Sequence, residues 1–140
     1  MRKLLLIYAL LSGFSAYSQA FYEGPAWTDY GNLTYTAFGW SMSNAGDVNG
    51  DGFEDMIVSA IDYSNPEETN GEEGKLSLYY GGPAGLETEP AWEFESNNDS
   101  SVLGFSTSGG DLNGDGFSDV VVGCLQWTGD EYNEGRIYLW

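Results

Sequence analysis

Apolar and polar residues alternate with period two through much of the chain beyond residue 20. Gly74-Lys75-Leu76-Ser77-Leu78-Tyr79-Tyr80 and Gly135-Arg136-Ile137-Tyr138-Leu139-Trp140 are the clearest cases, and such alternation marks a strand with unlike faces. Two denser runs, Met56-Ile57-Val58-Ser59-Ala60 and Val120-Val121-Val122-Gly123-Cys124, read as buried strands. Further short strands are expected around Trp27, Trp92, Phe38-Gly39 and Leu103-Gly104. Helical periodicity is lacking beyond the first twenty residues, so the pattern predicts an all-β chain.

The pattern also repeats. Gly46-Asp47-Val48-Asn49-Gly50-Asp51-Gly52-Phe53-Glu54-Asp55 returns as Gly110-Asp111-Leu112-Asn113-Gly114-Asp115-Gly116-Phe117-Ser118-Asp119, a spacing of 64 residues from 111 minus 47. Pro25-Ala26-Trp27 returns as Pro90-Ala91-Trp92, and Phe38-Gly39-Trp40-Ser41 as Leu103-Gly104-Phe105-Ser106. Each unit holds about four short antiparallel strands, the content of one blade of a β-propeller. A lone blade cannot bury both of its faces, so neighbouring blades must cover them.

Both repeated loops read D-x-N-x-D-G-x-x-D. Acids and an amide at alternating positions aim hard oxygen atoms at one point, where without a cation they would repel, and this donor chemistry points to calcium. The glycine after the third donor allows the tight backbone that so short a loop needs. An EF-hand shares the opening residues, but it requires a bidentate acid at the twelfth position and a helix beyond. Here the twelfth positions are Val58 and Val122, in β-branched runs.

Phe38-Gly39, the D-x-N-x-D-G-x-x-D loop, the strand Ile57-Val58-Ser59-Ala60, and the Tyr strand running into Gly81-Gly82-Pro83-Ala84-Gly85-Leu86 together resemble FG-GAP repeats. Such repeats build the seven-bladed propeller of integrin α chains and occur in many bacterial secreted proteins. The resemblance runs from about Pro25 to Trp140. It implies FG-GAP-type β-propeller blades, two of them four-stranded, as an incomplete propeller or fragment. It also implies about two structural Ca²⁺ ions, each held in the loop joining the two innermost strands. The implied ligands are Asp47, Asn49, Asp51, the Phe53 carbonyl and Asp55, with Asp111, Asn113, Asp115, the Phe117 carbonyl and Asp119 in the second copy. The second copy departs by carrying Leu103-Gly104 in place of Phe-Gly.

Arg2 and Lys3 precede the apolar run Leu4 to Leu11, and Ser18-Gln19-Ala20 follows it, the layout of a secretory signal peptide over residues 1–20. The remainder divides into 21–89, an outer strand plus the first repeat, and 90–140, a second and incomplete repeat. Cleavage would leave no membrane span and would shift the formal charge from -18 to -20, with Lys75 and Arg136 set against 22 acids. Nucleic acid and anionic membranes are poor partners for such a surface. A divalent-rich location, extracellular or periplasmic, suits it. The chain has no histidine, which removes the commonest general base, and the best-placed acids are already assigned to calcium.

The expected role is therefore non-enzymatic: adhesion or protein recognition at the cell surface, with an extracellular protein or glycan as ligand. The alternative is a glycan-binding lectin-like module, or the accessory part of a polysaccharide-degrading enzyme, with Trp127 as the candidate exposed platform. Two blades cannot close a ring. Further blades are expected either from a longer chain or from homo-oligomerisation. The acidic clusters Glu67-Glu68, Glu72-Glu73 and Asp130-Glu131 with Glu134 are expected to be solvated loop faces.

Overall fold

The computed structural model describes residues 25–67 and 71–140; the signal-peptide reading and Glu68 lie outside them. Seven strands form two antiparallel sheets. The first holds β1 (Phe38–Gly46), β2 (Asp55–Ala60), β3 (Lys75–Tyr79) and β4 (Trp92–Glu95) in that order, and the second holds β5 (Leu103–Gly110), β6 (Asp119–Cys124) and β7 (Arg136–Leu139). Among the described residues no helix is long and apolar enough to cross a membrane.

The first sheet is a four-stranded meander, and its outermost strand begins at Trp92, in the second repeat, with Leu78 paired to Trp92 and Leu76 to Phe94. Sequence repeat and sheet are therefore out of phase by one strand. The second sheet has three strands among the described residues, where four are expected. Among the described residues, the place that β4 fills beside β3 has no counterpart beside β7. The Trp27 segment, expected to be a strand, carries no strand pairing. Its edge in the first sheet is already taken by β4, and Trp27 instead sets its ring edge-on to Tyr79 and donates Nε1–H to the Glu87 carbonyl.

The two sheets pack face to face. Ile57, Leu76 and Leu78 of the first meet Val120, Val122, Cys124 and Leu103 of the second. Ile57, Leu76, Leu103 and Val122 have no exposed surface, and burying such side chains contributes about 1.5–3 kcal/mol each. At one end of this layer an aromatic cluster closes the core: Trp140 stands edge-on to both Trp92 and Phe94, with centroids 5.0 and 4.9 Å away. At the other, β1 and β5 run side by side, and the Ser41 and Ser43 hydroxyls bond to Thr107. Gly109 permits that approach, because a Cβ there would strike the Ala45 backbone.

Candidate metal centre

Each repeated loop joins the first two strands of its sheet, β1 to β2 and β5 to β6. The loops fold alike because their acids accept bonds from the backbone amides ahead of them. Asp47 Oδ1 accepts from the amides of Gly50 and Asp51, and Oδ2 from Gly52. Asp111 likewise accepts from Gly114 and Gly116. Asn49 and Asn113 each accept from the amide two residues on, and so do Asp51 and Asp115. Gly52 and Gly116, at φ 91° and 94°, adopt the left-handed backbone that an L side chain would strain.

The ninth position differs between copies. Asp55 is 2% exposed and anchors two segments, accepting from Val48 N at 2.8 Å and from Gly81 N at 2.8 Å. Asp119 keeps the first bond, from Leu112 N, and takes the second from its own loop through Asn113 Nδ2. Phe53 and Phe117 present exposed rings; a phenyl ring carries no oxygen donor, so only their carbonyls are suited to a metal.

The motif residues are thus brought together as two preformed oxygen-rich loops, yet among the described residues no three carboxylates stand grouped as a ligand set. By donor chemistry the loops fit a hard divalent cation, since carboxylate, amide and carbonyl oxygens are what calcium takes. The amides aimed at Asp47 and Asp111 occupy only part of each carboxylate's accepting capacity.

Sequence reasoning did not anticipate that the loops touch. The Ser118 amide donates to the Asp47 carbonyl at 2.9 Å, and the Phe117 ring lies where a Cβ on Gly50 would stand. Nor did it find the Gly81 tie to Asp55; the signal was the glycine itself, whose missing side chain lets Glu54 approach.

Two other expectations are corrected. Trp127 is half-buried against the core, with the Arg136 guanidinium 4.3 Å over its ring, because a cation beside an aromatic face covers it; it is not an open platform. Glu73 is fully buried rather than solvated, and its Oε1 accepts from Asn65 N. Glu67, Glu72, Asp130, Glu131 and Glu134 are exposed as expected.

Away from the loops, Lys75 lies 2.9 Å from Glu93 and 3.7 Å from Glu95, and 4.9 Å over the Tyr63 ring. Burial, reinforced by the Glu95 charge, pushes the Tyr63 phenol up to about 12. Burial and a hydrogen bond to Asp29 raise Tyr79 as well.

The FG-GAP repeat family matches residues 38–79 and 103–140. Integrin alpha-5 of Xenopus laevis is 33% identical over 96 residues, covering 65% of this chain and 9% of that protein. Integrin alpha-E of Mus musculus is 35% identical over 95 residues, covering 65% of this chain and 8% of that protein. Phosphatidylinositol-glycan-specific phospholipase D of Bos taurus is 33% identical over 127 residues, covering 79% and 14%. The chain therefore spans between 8% and 14% of the length of these three relatives.

Proposed function

As the chain belongs to the FG-GAP repeat family, we propose that it is a secreted, calcium-binding β-propeller module that recognises an extracellular protein in cell-surface adhesion, without catalysis. The observation that carries this reading is the pair of D-x-N-x-D-G-x-x-D loops, folded on the same amide-to-carboxylate bonds and in contact with one another. Asp47, Asn49, Asp51, Asp55 and the Phe53 carbonyl would hold one ion. Asp111, Asn113, Asp115, Asp119 and the Phe117 carbonyl would hold the other. Bound calcium supplies charge neutralisation and pins each hairpin, so that loops elsewhere on the blades can present a binding surface. The integrin α relatives support adhesion as the role.

Metal analysis of the purified chain tests the cation, with two calcium ions per chain expected and one after Asp51→Ala or Asp115→Ala. No bound calcium at millimolar concentration would overturn it, extracellular modules commonly binding with Kd of about 10⁻⁴–10⁻³ M. The phospholipase D relative favours a second reading, an accessory glycan-binding part of a larger enzyme. Binding on a glycan array, lost on removal of calcium, would support it over protein recognition.

A further inference from the structure

The two oxygen-rich loops are joined by a continuous run of peptide groups. The Ser118 amide donates to the Asp47 carbonyl at 2.9 Å, and the Val48 amide donates to Asp55 Oδ2 at 2.8 Å. The Ser118 N–H and the Phe117 carbonyl belong to one planar peptide unit and point oppositely from it, as do the Val48 N–H and the Asp47 carbonyl. The run therefore starts at the Phe117 carbonyl, an oxygen assigned to the second cation, and passes through two rigid planes. It ends on Asp55, a ligand assigned to the first.

The surroundings leave these planes little freedom. β1 and β5 meet at Ala45, which has no exposed surface, and a Cβ on Gly109 would stand 2.3 Å from the Ala45 carbonyl oxygen. The roots of both loops, Gly46 and Gly110, lie one residue further on and are held by that contact. Ser118 fills the space beside Gly46, where a Cβ would lie 2.1 Å from its Oγ, and the Phe117 ring fills the space beside Gly50, at 2.3 Å. The first copy has Glu54 where the second has Ser118. A glutamate at 118 would crowd another carboxylate toward Asp47, whereas serine lets the loops touch.

Two effects of opposite sign act between such loops. A cation in one offsets the negative charge that attracts a cation to the other, and so weakens the second binding event. Salt removes that effect, the Debye length being about 3 Å at 1 M. Ordering acts the other way. A cation held by the Phe117 carbonyl and Asp119 fixes the peptide units on both sides of Ser118, and through the bonded run it fixes Asp47 and Asp55. The first loop then has less freedom to lose when its own cation arrives, which is positive cooperativity. Salt leaves this effect in place.

We propose that the two loops bind calcium cooperatively, with Phe117 and Ser118 of the second loop acting as positioning residues for Asp47 and Asp55 of the first. The inference rests on the calcium reading above and adds to it a coupling between the sites. Linkage makes the coupling reciprocal, so each loop tightens the other by the same factor.

Calorimetric calcium titration of the full chain in about 1 M sodium chloride, where charge is screened, is the test. Asp115→Ala leaves the first loop and Asp51→Ala the second. The product of the two wild-type association constants, divided by the product of the two single-loop constants, measures the coupling. A ratio of about five or more is expected, the lower end of usual coupling factors. Gly50→Ala and Gly114→Ala then locate it. Both glycines have left-handed backbone, at φ 76° and 80°, so alanine strains both loops alike. Only at Gly50 does the added Cβ meet the other loop; at Gly114 it meets nothing within 4 Å among the described residues. With the same comparison repeated in each background, Gly50→Ala should bring the ratio to one. Gly114→Ala should weaken its own loop and leave the ratio as in wild type. A wild-type ratio of one, or a ratio that the two alanines lower alike, would overturn the coupling while leaving the calcium reading intact. A wild-type chain that takes up no calcium would overturn both.

Discussion

At the scale of single residues, the acids of the repeated loops divide into two kinds that composition alone does not separate. Asp55 is buried and joins β2 to the Val48 and Gly81 amides; Asp51 is exposed. Asp55→Ala would leave two donors without their acceptor, each costing about 1–3 kcal/mol, and should lower stability by about 2–6 kcal/mol even in EDTA. Asp51→Ala should be nearly silent in EDTA. In calcium at a hundredfold excess over Kd it should forfeit about 2.7 kcal/mol, the linkage contribution of one site. Chemical denaturation of both variants in both media checks this, and equal losses in EDTA would show that the two acids play one role. Tyr63 supplies a pH test. Its folded-state value of about 12 lies above the ordinary 10.0, chiefly through burial. Its contribution is therefore complete below pH 10 and lost as pH rises through about 12. Alkaline titration by ultraviolet absorbance should show phenols ionising late, and Tyr63→Phe should remove one of them while flattening the fall in stability over that window.

At the scale of strands, most of the fold was legible in the sequence, because period-two alternation and the apolar runs mark β2, β3, β6 and β7 directly, and the repeated Phe38-Gly39, Leu103-Gly104 and Trp92 positions mark the other three. The repeat marked the loops and their nine-residue frame, since local side-chain-to-amide bonds depend only on nearby residues. Sequence did not reveal which sheet the Trp92 strand joins, nor that the equivalent Trp27 segment carries no ladder. Both depend on which edge is free in three dimensions, and the letters of Pro25-Ala26-Trp27 and Pro90-Ala91-Trp92 are the same. Trp127 was misplaced for a related reason: its cover is Arg136, nine positions on and across a turn. The close approach of β1 to β5 likewise left only a faint mark, a glycine where a strand would favour a side chain. Gly109→Ala should force β1 from β5 at the Ala45 backbone and cost about 1–3 kcal/mol, the usual penalty of overpacking. Gly82→Ala, whose added Cβ would meet only ordinary contact at 3.7 Å, should change the melting temperature little. Equal effects from the two would mean that the sheets can separate freely.

At the scale of the whole molecule, the dominant quantity is charge. Its 22 acids and four bases leave a formal -18 on 140 residues that repels itself, and among the described residues the bases are Lys75 and Arg136, Lys75 being shared by Glu93 and Glu95. Such repulsion destabilises the compact state and is screened by any salt, the Debye length falling to about 10 Å at 0.1 M. Sodium chloride should therefore raise the melting temperature by a general effect that depends only on ionic strength. Calcium should do this and more, because two loops already arranged on their own amides offer it hard oxygen donors that sodium cannot use as well. At matched ionic strength, calcium at a hundredfold excess over Kd should exceed sodium by about 2.7 kcal/mol for each occupied site. The excess should halve in Asp115→Ala, which leaves the other loop intact. If calcium and sodium chloride stabilise alike once ionic strength is matched, the loops are acidic turns and the cation acts only as a screen.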